Sequence, residues 1–160
     1  MTRFIASIRN CLSTLLDGIT VVTTSMKASP ETLASDTAVL LIAHGSRLAT
    51  ANDDLRQLAD LLRQRFSDSI VEIAYLELTE PTIPQAAATC VQRGAARVLL
   101  LPYFLSAGMH VTEDLKRFQT DFTAQWPSVR FDLCSPLGLH PLMLDIVCDR
   151  ISEAGTAAIK

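Results

Sequence analysis

The sequence stands out first for what it lacks. Its four cysteines, Cys11, Cys90, Cys134 and Cys148, form no C-x-x-C pair. That leaves no framework for structural zinc or an iron–sulfur cluster, and thiols so widely spaced read as reduced, mostly buried small hydrophobes. No apolar run reaches the roughly 18 residues of a membrane span, so a soluble protein with no membrane partner is expected. Basic excess is missing too: 14 Lys and Arg against 17 Asp and Glu give a formal charge of -3. Without a cationic stripe to neutralise phosphates, nucleic acid is not expected as a partner. An anionic ligand would have to be met by local charge and by helix amino ends. Neither G-x-x-x-x-G-K-S/T nor G-x-G-x-x-G occurs, which argues against ATP and dinucleotides. A G-x-S-x-G elbow is absent, and no cysteine stands beside a histidine in a nucleophile motif, so serine or thiol hydrolysis is poorly supported.

What remains is an ordinary globular composition. With 160 residues, 49% hydrophobic and 19% charged, the chain is long enough to bury one real core without disulfides or a structural metal. Residues 1–36 differ from the rest. They carry Arg3 and Arg9, many Ser and Thr, no acid before Asp17, and apolar Phe4, Ile8, Leu12, Leu15 and Leu16 at helical spacing. Two readings fit this segment equally: an organellar transit peptide, or an extension upstream of a start at Met26. The folded domain is expected over 37–153, with a tail at 154–160.

Within that domain four strand-plus-helix units follow one another. The first pairs a strand over 38–43 with a helix over 51–66, whose apolar stripe is Ala51, Leu55, Leu58, Leu62 and Phe66 and whose start Thr50 can cap. The second pairs 70–78 with a helix over 83–93, closed by Gly94, with Pro81 and Pro84 near its start. The third pairs 97–102 with a helix over 112–125, whose first turn carries Glu113 and Asp114 where the dipole favours acids. The fourth pairs 129–133 with a helix over 141–151. Alternation of this kind predicts an α/β fold: a four-stranded parallel sheet with helices on both faces, joined by right-handed crossovers.

Such sheets bind ligands at the carboxyl ends of their strands, and the rare residues of this chain fall there. The first strand, Val39-Leu40-Leu41-Ile42-Ala43, stops abruptly at His44-Gly45-Ser46-Arg47, as a buried strand does where it hands over to a functional loop. The third ends in an apolar wall, Tyr103-Phe104-Leu105, followed by Gly108 and His110. Glu77 closes the second strand; the plainer alternative for it is an outward-facing strand residue. An apolar pocket with two imidazoles and a carboxylate suits a borderline transition metal held weakly, and also proton abstraction near neutral pH. His140, between Gly138 and Pro141, is better explained as part of a structured turn.

Taken together, His44-Gly45-Ser46-Arg47, Asn52, Tyr75-Leu76-Glu77, Pro81-x-Ile83, Cys90-Val91-x-x-Gly94-Ala95, Pro102-Tyr103-Phe104-Leu105-x-x-Gly108-x-His110-Val111-x-x-Asp114 and Pro136-Leu137-Gly138-x-His140-Pro141 resemble the small class II chelatases, the CbiX- and SirB-like sirohydrochlorin cobalto- and ferrochelatases. The resemblance covers about 38–150 and leaves the first 36 residues outside. It implies a chelatase domain that is half of the bilobal larger enzymes and pairs as a homodimer. It also implies an ATP-independent insertion of Co²⁺ or Fe²⁺ into sirohydrochlorin, in cobalamin or sirohaem biosynthesis, with the metal as substrate and no permanently bound cofactor.

By the same resemblance His44 and His110 bind metal and serve catalysis, and Glu77 assists as a further metal ligand or proton relay. Ser46 and Arg47 are the candidates for gripping the macrocycle's carboxylates, and Tyr103, Phe104 and Leu105 for lying against the ring. Leu115-Lys116 stand where relatives often have Ile-Pro, a change in helix entry that leaves the ligands untouched. A cytoplasmic protein is implied, or an organellar one if residues 1–36 are a transit peptide. The alternative is a carrier of tetrapyrrole or metal on the same scaffold, without turnover.

Overall fold

The computed structural model describes residues 32–106 and 108–157, so the expectations for residues 1–31 lie outside it. Its four strands are β1 (Thr37–Ala43), β2 (Ile70–Tyr75), β3 (Arg97–Pro102) and β4 (Arg130–Leu133), and its helices are α1 (Asp53–Arg65), α2 (Ile83–Gln92), α3 (Met109–Gln125) and α4 (Leu142–Ala157). The strands form one parallel sheet in the order β2-β1-β3-β4, as the alternating pattern predicts.

β1 is central and buried on both faces, which is why it reads as an unbroken apolar run. Ala38, Leu40 and Ile42 point into the larger half of the core, where α2 brings Ala86, Ala87 and Cys90 and α3 brings Leu115 and Phe122. Val39 and Leu41 point the other way, toward Leu55 and Ala59 of α1. Small residues along α2 let that helix lie close to the sheet, while Phe118, Phe122, Trp126 and Phe131 fill the wider space under α3. Each large side chain so buried contributes about 1.5–3 kcal/mol. The outer edge of β2 is blunted locally by Arg63, whose guanidinium donates to the Val71 carbonyl at 3.1 and 2.8 Å. No helix among the described residues is long and apolar enough to cross a membrane.

Several boundaries differ from expectation for local reasons. A 3₁₀ turn, Ala49–Asn52, precedes α1, and Thr50 lies within it, so it does not cap the helix. β2 ends at Tyr75, three residues early, because the chain folds back: the Tyr75 N–H donates to the Pro81 carbonyl at 2.9 Å and Tyr75 bridges to Thr82. Thr82 then caps α2 reciprocally with Gln85, the arrangement that satisfies two otherwise orphaned donors. α3 starts at Met109, three residues ahead of the expected point, with extended backbone at Gly108 as its cap. Glu113 and Asp114 therefore stand beyond the first turn, which contains no acid.

α4 departs most. It runs to Ala157, past the expected end at 151 and into the expected tail. From Leu142 to Gly155 every residue except Met143 is exposed. A crossover helix is pulled back over the sheet by the strand it feeds. No strand follows β4 among the described residues, so that pull is absent here.

Candidate functional site

In the order β2-β1-β3-β4 the chain leaves β1 toward one edge and returns across it toward the other. The strand order thus reverses between β1 and β3, and the carboxyl ends of those two strands flank the crevice where such sheets bind ligands. His44 follows β1 directly, and Tyr103 and Phe104 follow β3.

Main-chain bonds extend the sheet one step past its regular strands. The Leu76 N–H donates to the Ala43 carbonyl at 2.9 Å, and the Glu77 N–H to the His44 carbonyl at 3.1 Å. Gly45 makes this approach possible. Its φ is +93°, and a Cβ there would fall inside 3.0 Å of the Glu77 carbonyl oxygen and 3.2 Å from the Tyr75 Cβ. Only glycine fits such a position at no steric cost.

The result is a direct contact between two predicted site residues, with His44 Nε2 3.4 Å from Glu77 Oε1 and side chains 61% and 56% exposed. A pair so open to water adds little to stability. Its groups stay available to a ligand. The edge of the His44 ring also meets the Phe104 ring, with centroids 6.2 Å apart at 88°.

The loop after His44 is held from below. Asn52 is 4% exposed, and its Nδ2 donates to the Ser46 carbonyl at 2.9 Å, while Ser46 Oγ accepts from the Leu48 N–H at 3.1 Å. Beneath this loop is a hollow of about 210 Å³ lined by His44, Ser46, Asn52, Asp54, Tyr75 and Tyr103, among others. Tyr75 is buried, and its hydroxyl is the buried side-chain polar atom without a partner among the described residues. Sequence reasoning attached no role to Asn52 or Tyr75. The available signal was a polar side chain six residues beyond Ser46, at the entrance to a helix that must pack on the sheet.

His110 lies exposed in the first turn of α3, on the same edge of the sheet. Helical side chains lean toward the amino end, which here is the edge that carries His44. His44 and Glu77 are brought into contact; His110 is not, because no group of three potential metal donors is assembled among the described residues. Arg47 is exposed and forms no ion pair with a described acid, so its guanidinium is open to an anion. Tyr103, Leu105 and Met109 are 36%, 67% and 75% exposed. They follow β3 on the sheet edge that carries the pair, and Tyr103 lines the hollow beside His44, while Phe104 packs partly onto the core. Met109 had not been anticipated. At the far end of the site His140 caps α4, its Nδ1 accepting from the Leu142 N–H at 3.3 Å, as expected of a turn residue.

An imidazole and a carboxylate in contact, on a sheet edge that also carries exposed apolar side chains and the Arg47 guanidinium, have the chemistry to hold a borderline dication loosely and to shuttle protons. The family profile of CbiX matches residues 38–154. A chloroplastic sirohydrochlorin ferrochelatase of Arabidopsis thaliana is 36% identical over 115 residues, 72% of this chain and 51% of that one. A sirohydrochlorin cobaltochelatase of Priestia megaterium is 32% identical over 130 residues, 81% of this chain and 42% of that one. The chain thus spans about half the length of these relatives. In three dimensions it is similar to a CbiX protein from Marinobacter aquaeolei, with a TM-score of 0.66 and 26% identity, covering 76% of this chain and 98% of that one. By sequence and by fold, this chain belongs to the CbiX family.

Proposed function

We propose that the protein catalyses ATP-independent insertion of Co²⁺ or Fe²⁺ into sirohydrochlorin. The observation that carries this reading is the exposed His44–Glu77 contact at the switch point of the sheet, in a chain of the CbiX family. Insertion forms four metal–nitrogen bonds and releases two pyrrole protons, with no redox change. A neutral imidazole has one free lone pair, which can bind the incoming dication and, once the metal has passed to the ring nitrogens, take up a released pyrrole proton. His44 does this at the ring centre, Glu77 balances the charge and passes the proton to water, and His110 supplies the third donor from α3. Arg47 and Ser46 meet the peripheral carboxylates, while Tyr103, Leu105 and Phe104 offer apolar surface to the macrocycle. The metal is consumed as substrate and no resident cofactor takes part.

Nitrogen and oxygen donors accept both metals, and the usual affinity order favours Co²⁺ only modestly over Fe²⁺. An open pair selects weakly, so delivery decides the metal. The deciding experiment follows sirohydrochlorin absorbance anaerobically with each metal at equal free concentration. Both rates should exceed the spontaneous ones and lie within about two orders of magnitude of each other, roughly 3 kcal/mol of barrier. Tight binding of sirohydrochlorin with no acceleration by either metal would make the protein a carrier instead.

A further inference from the structure

The turn ahead of α4 accounts for one nitrogen of His140 and leaves the other without a role. His140 Nδ1 accepts from the Leu142 N–H at 3.3 Å, and its carbonyl accepts from the Met143 N–H at 2.8 Å. Asparagine commonly makes this kind of turn, and Pro141 inside it has no N–H to leave unpaired. A neutral imidazole that accepts at Nδ1 carries its proton on Nε2. The turn therefore fixes a hydrogen-bond donor on an exposed side chain, and nothing among the described residues accepts from it.

That donor borders an open hollow of about 520 Å³, whose other lining residues are Leu139, Pro141, Met143, Leu144 and Val147. Leu139 and Leu144 are 98% and 69% exposed. Small-molecule sites of ~300–1,000 Å³ are built in this way, with apolar walls and a few fixed polar groups that orient the ligand. His140 supplies the polar side chain of the lining, and no acid is part of it to repel an anionic group.

Main-chain bonds join this hollow to the His44 site. The Cys134 N–H donates to the Leu100 carbonyl at 2.9 Å, so the chain leaving β4 stays beside β3, and the Gly138 N–H reaches the Phe104 carbonyl at 3.4 Å. The Phe104 ring is the one that meets the His44 ring. In the order β2-β1-β3-β4, Ser46 and Arg47 leave β1, whereas His140 belongs to the loop that leaves β4. Those two exits lie two strand spacings apart, about 10 Å, with β3 and Phe104 between them. A flat ring set over Phe104 and rimmed with carboxylates spans that distance and presents an acceptor on each side.

We infer that the hollow at His140 is a second grip on the macrocycle: its apolar walls take the edge of the ring remote from Arg47, and His140 Nε2–H donates to a peripheral carboxylate. This rests on sirohydrochlorin as the substrate. It makes His140 a binding residue that selects for an acidic rim, apart from the metal and proton chemistry of His44 and Glu77.

Two substitutions separate this role from the turn. His140→Asn keeps an acceptor for the Leu142 N–H and has no donor at the Nε2 position; His140→Gln sets its amide N–H near that position and loses the turn. The experiment titrates metal-free sirohydrochlorin into the full chain, followed by absorbance, with urea unfolding of each variant alongside. His140→Asn should unfold at the wild-type urea concentration yet bind about 10-fold more weakly. His140→Gln should unfold earlier yet bind as wild type does. Leu139→Ser should weaken binding by at least about 3-fold, whereas Leu61→Ser, at an α1 residue 62% exposed, should not. Wild-type affinity in His140→Asn, or an affinity loss that follows the urea midpoint and not the Nε2 donor, would overturn the inference. With insertion still catalysed, that result leaves the proposed function standing and removes the grip alone. Affinities in the expected order without insertion of either metal would leave the grip on a carrier, and a wild-type chain that takes up no sirohydrochlorin would sink both.

Discussion

Substituting Gly45 by alanine tests the geometry of the His44–Glu77 pair at one atom. The added methyl meets the Glu77 carbonyl oxygen inside 3.0 Å, at a residue whose φ is +93°. The backbone strain alone costs about 1–2 kcal/mol. Relief of the clash requires the two loops to separate by about 1 Å, which weakens the Glu77-to-His44 and Leu76-to-Ala43 hydrogen bonds at about 1 kcal/mol each. Together these give a loss on the order of 3 kcal/mol in folding stability, and a 1 Å displacement of a reacting group can lower a rate by about 10². Gly94 provides the control. It has nearly the same φ, +91°, and nothing within 4 Å of an added Cβ, so Gly94→Ala carries the strain without the clash. Urea unfolding followed by circular dichroism and metal insertion followed by absorbance should be measured on both variants. Gly45→Ala should lose about 2 kcal/mol more than Gly94→Ala and nearly all of its insertion rate, whereas Gly94→Ala keeps its rate. Equal stability and equal rates in the two variants would refute the reasoning.

Three further outcomes are expected. His44→Ala and His110→Ala should each slow insertion by about 10²-fold or more if the imidazole acts as a base, with melting temperatures near wild type because both residues are exposed; near-normal turnover in both would remove them from the mechanism. Asn52→Ala strips the Ser46 carbonyl of its partner at a site 4% exposed, so stability should fall by about 1–3 kcal/mol and the KM for sirohydrochlorin should rise; an unchanged KM would show that the loop does not need its support. Burial, with Glu72 nearby, pushes the Cys90 thiol from 9.0 up to about 12. Below pH 9 both folded and unfolded chains keep this proton; between 9 and 12 only the unfolded chain gives it up. Stability should therefore fall with rising pH in that window by up to ~1.4 kcal/mol per unit, and Cys90→Ala should flatten the decline, as urea midpoints at pH 8 and 10.5 would reveal.

The parts of the fold that were legible in the sequence are those where local pattern and tertiary role coincide. β1 is an unbroken apolar run because both its faces are covered, and its abrupt end at His44 located the edge of the sheet where the candidate site lies. The start of α3 misled because Glu113 and Asp114 look like first-turn acids, whereas Gly108 begins the helix before Met109 and His110. β2 was drawn too long since Leu76, Glu77 and Leu78 continue its composition; a backbone bond from Tyr75 to Pro81, which no side chain announces, turns the chain. That His44 and Glu77 share an edge followed from strand counting, but their contact depends on the space left at Gly45. α4 shows the firmest limit. Its periodicity says that one face must be covered and is silent about by what.

The double pairing of β1 has a consequence for local opening. With β2 on one side and β3 on the other, the amides of Val39 to Ile42 can exchange with deuterium only when the whole domain unfolds. Glu77 instead rides on the turn beyond an edge strand, where opening breaks few bonds and buries nothing to be undone. The two side chains thus belong to segments that should differ in protection, His44 next to the doubly paired strand and Glu77 on a turn that opens more readily. If the pair holds metal as proposed, release should follow the opening of that turn, at the rate of a local fluctuation and without disturbing the core.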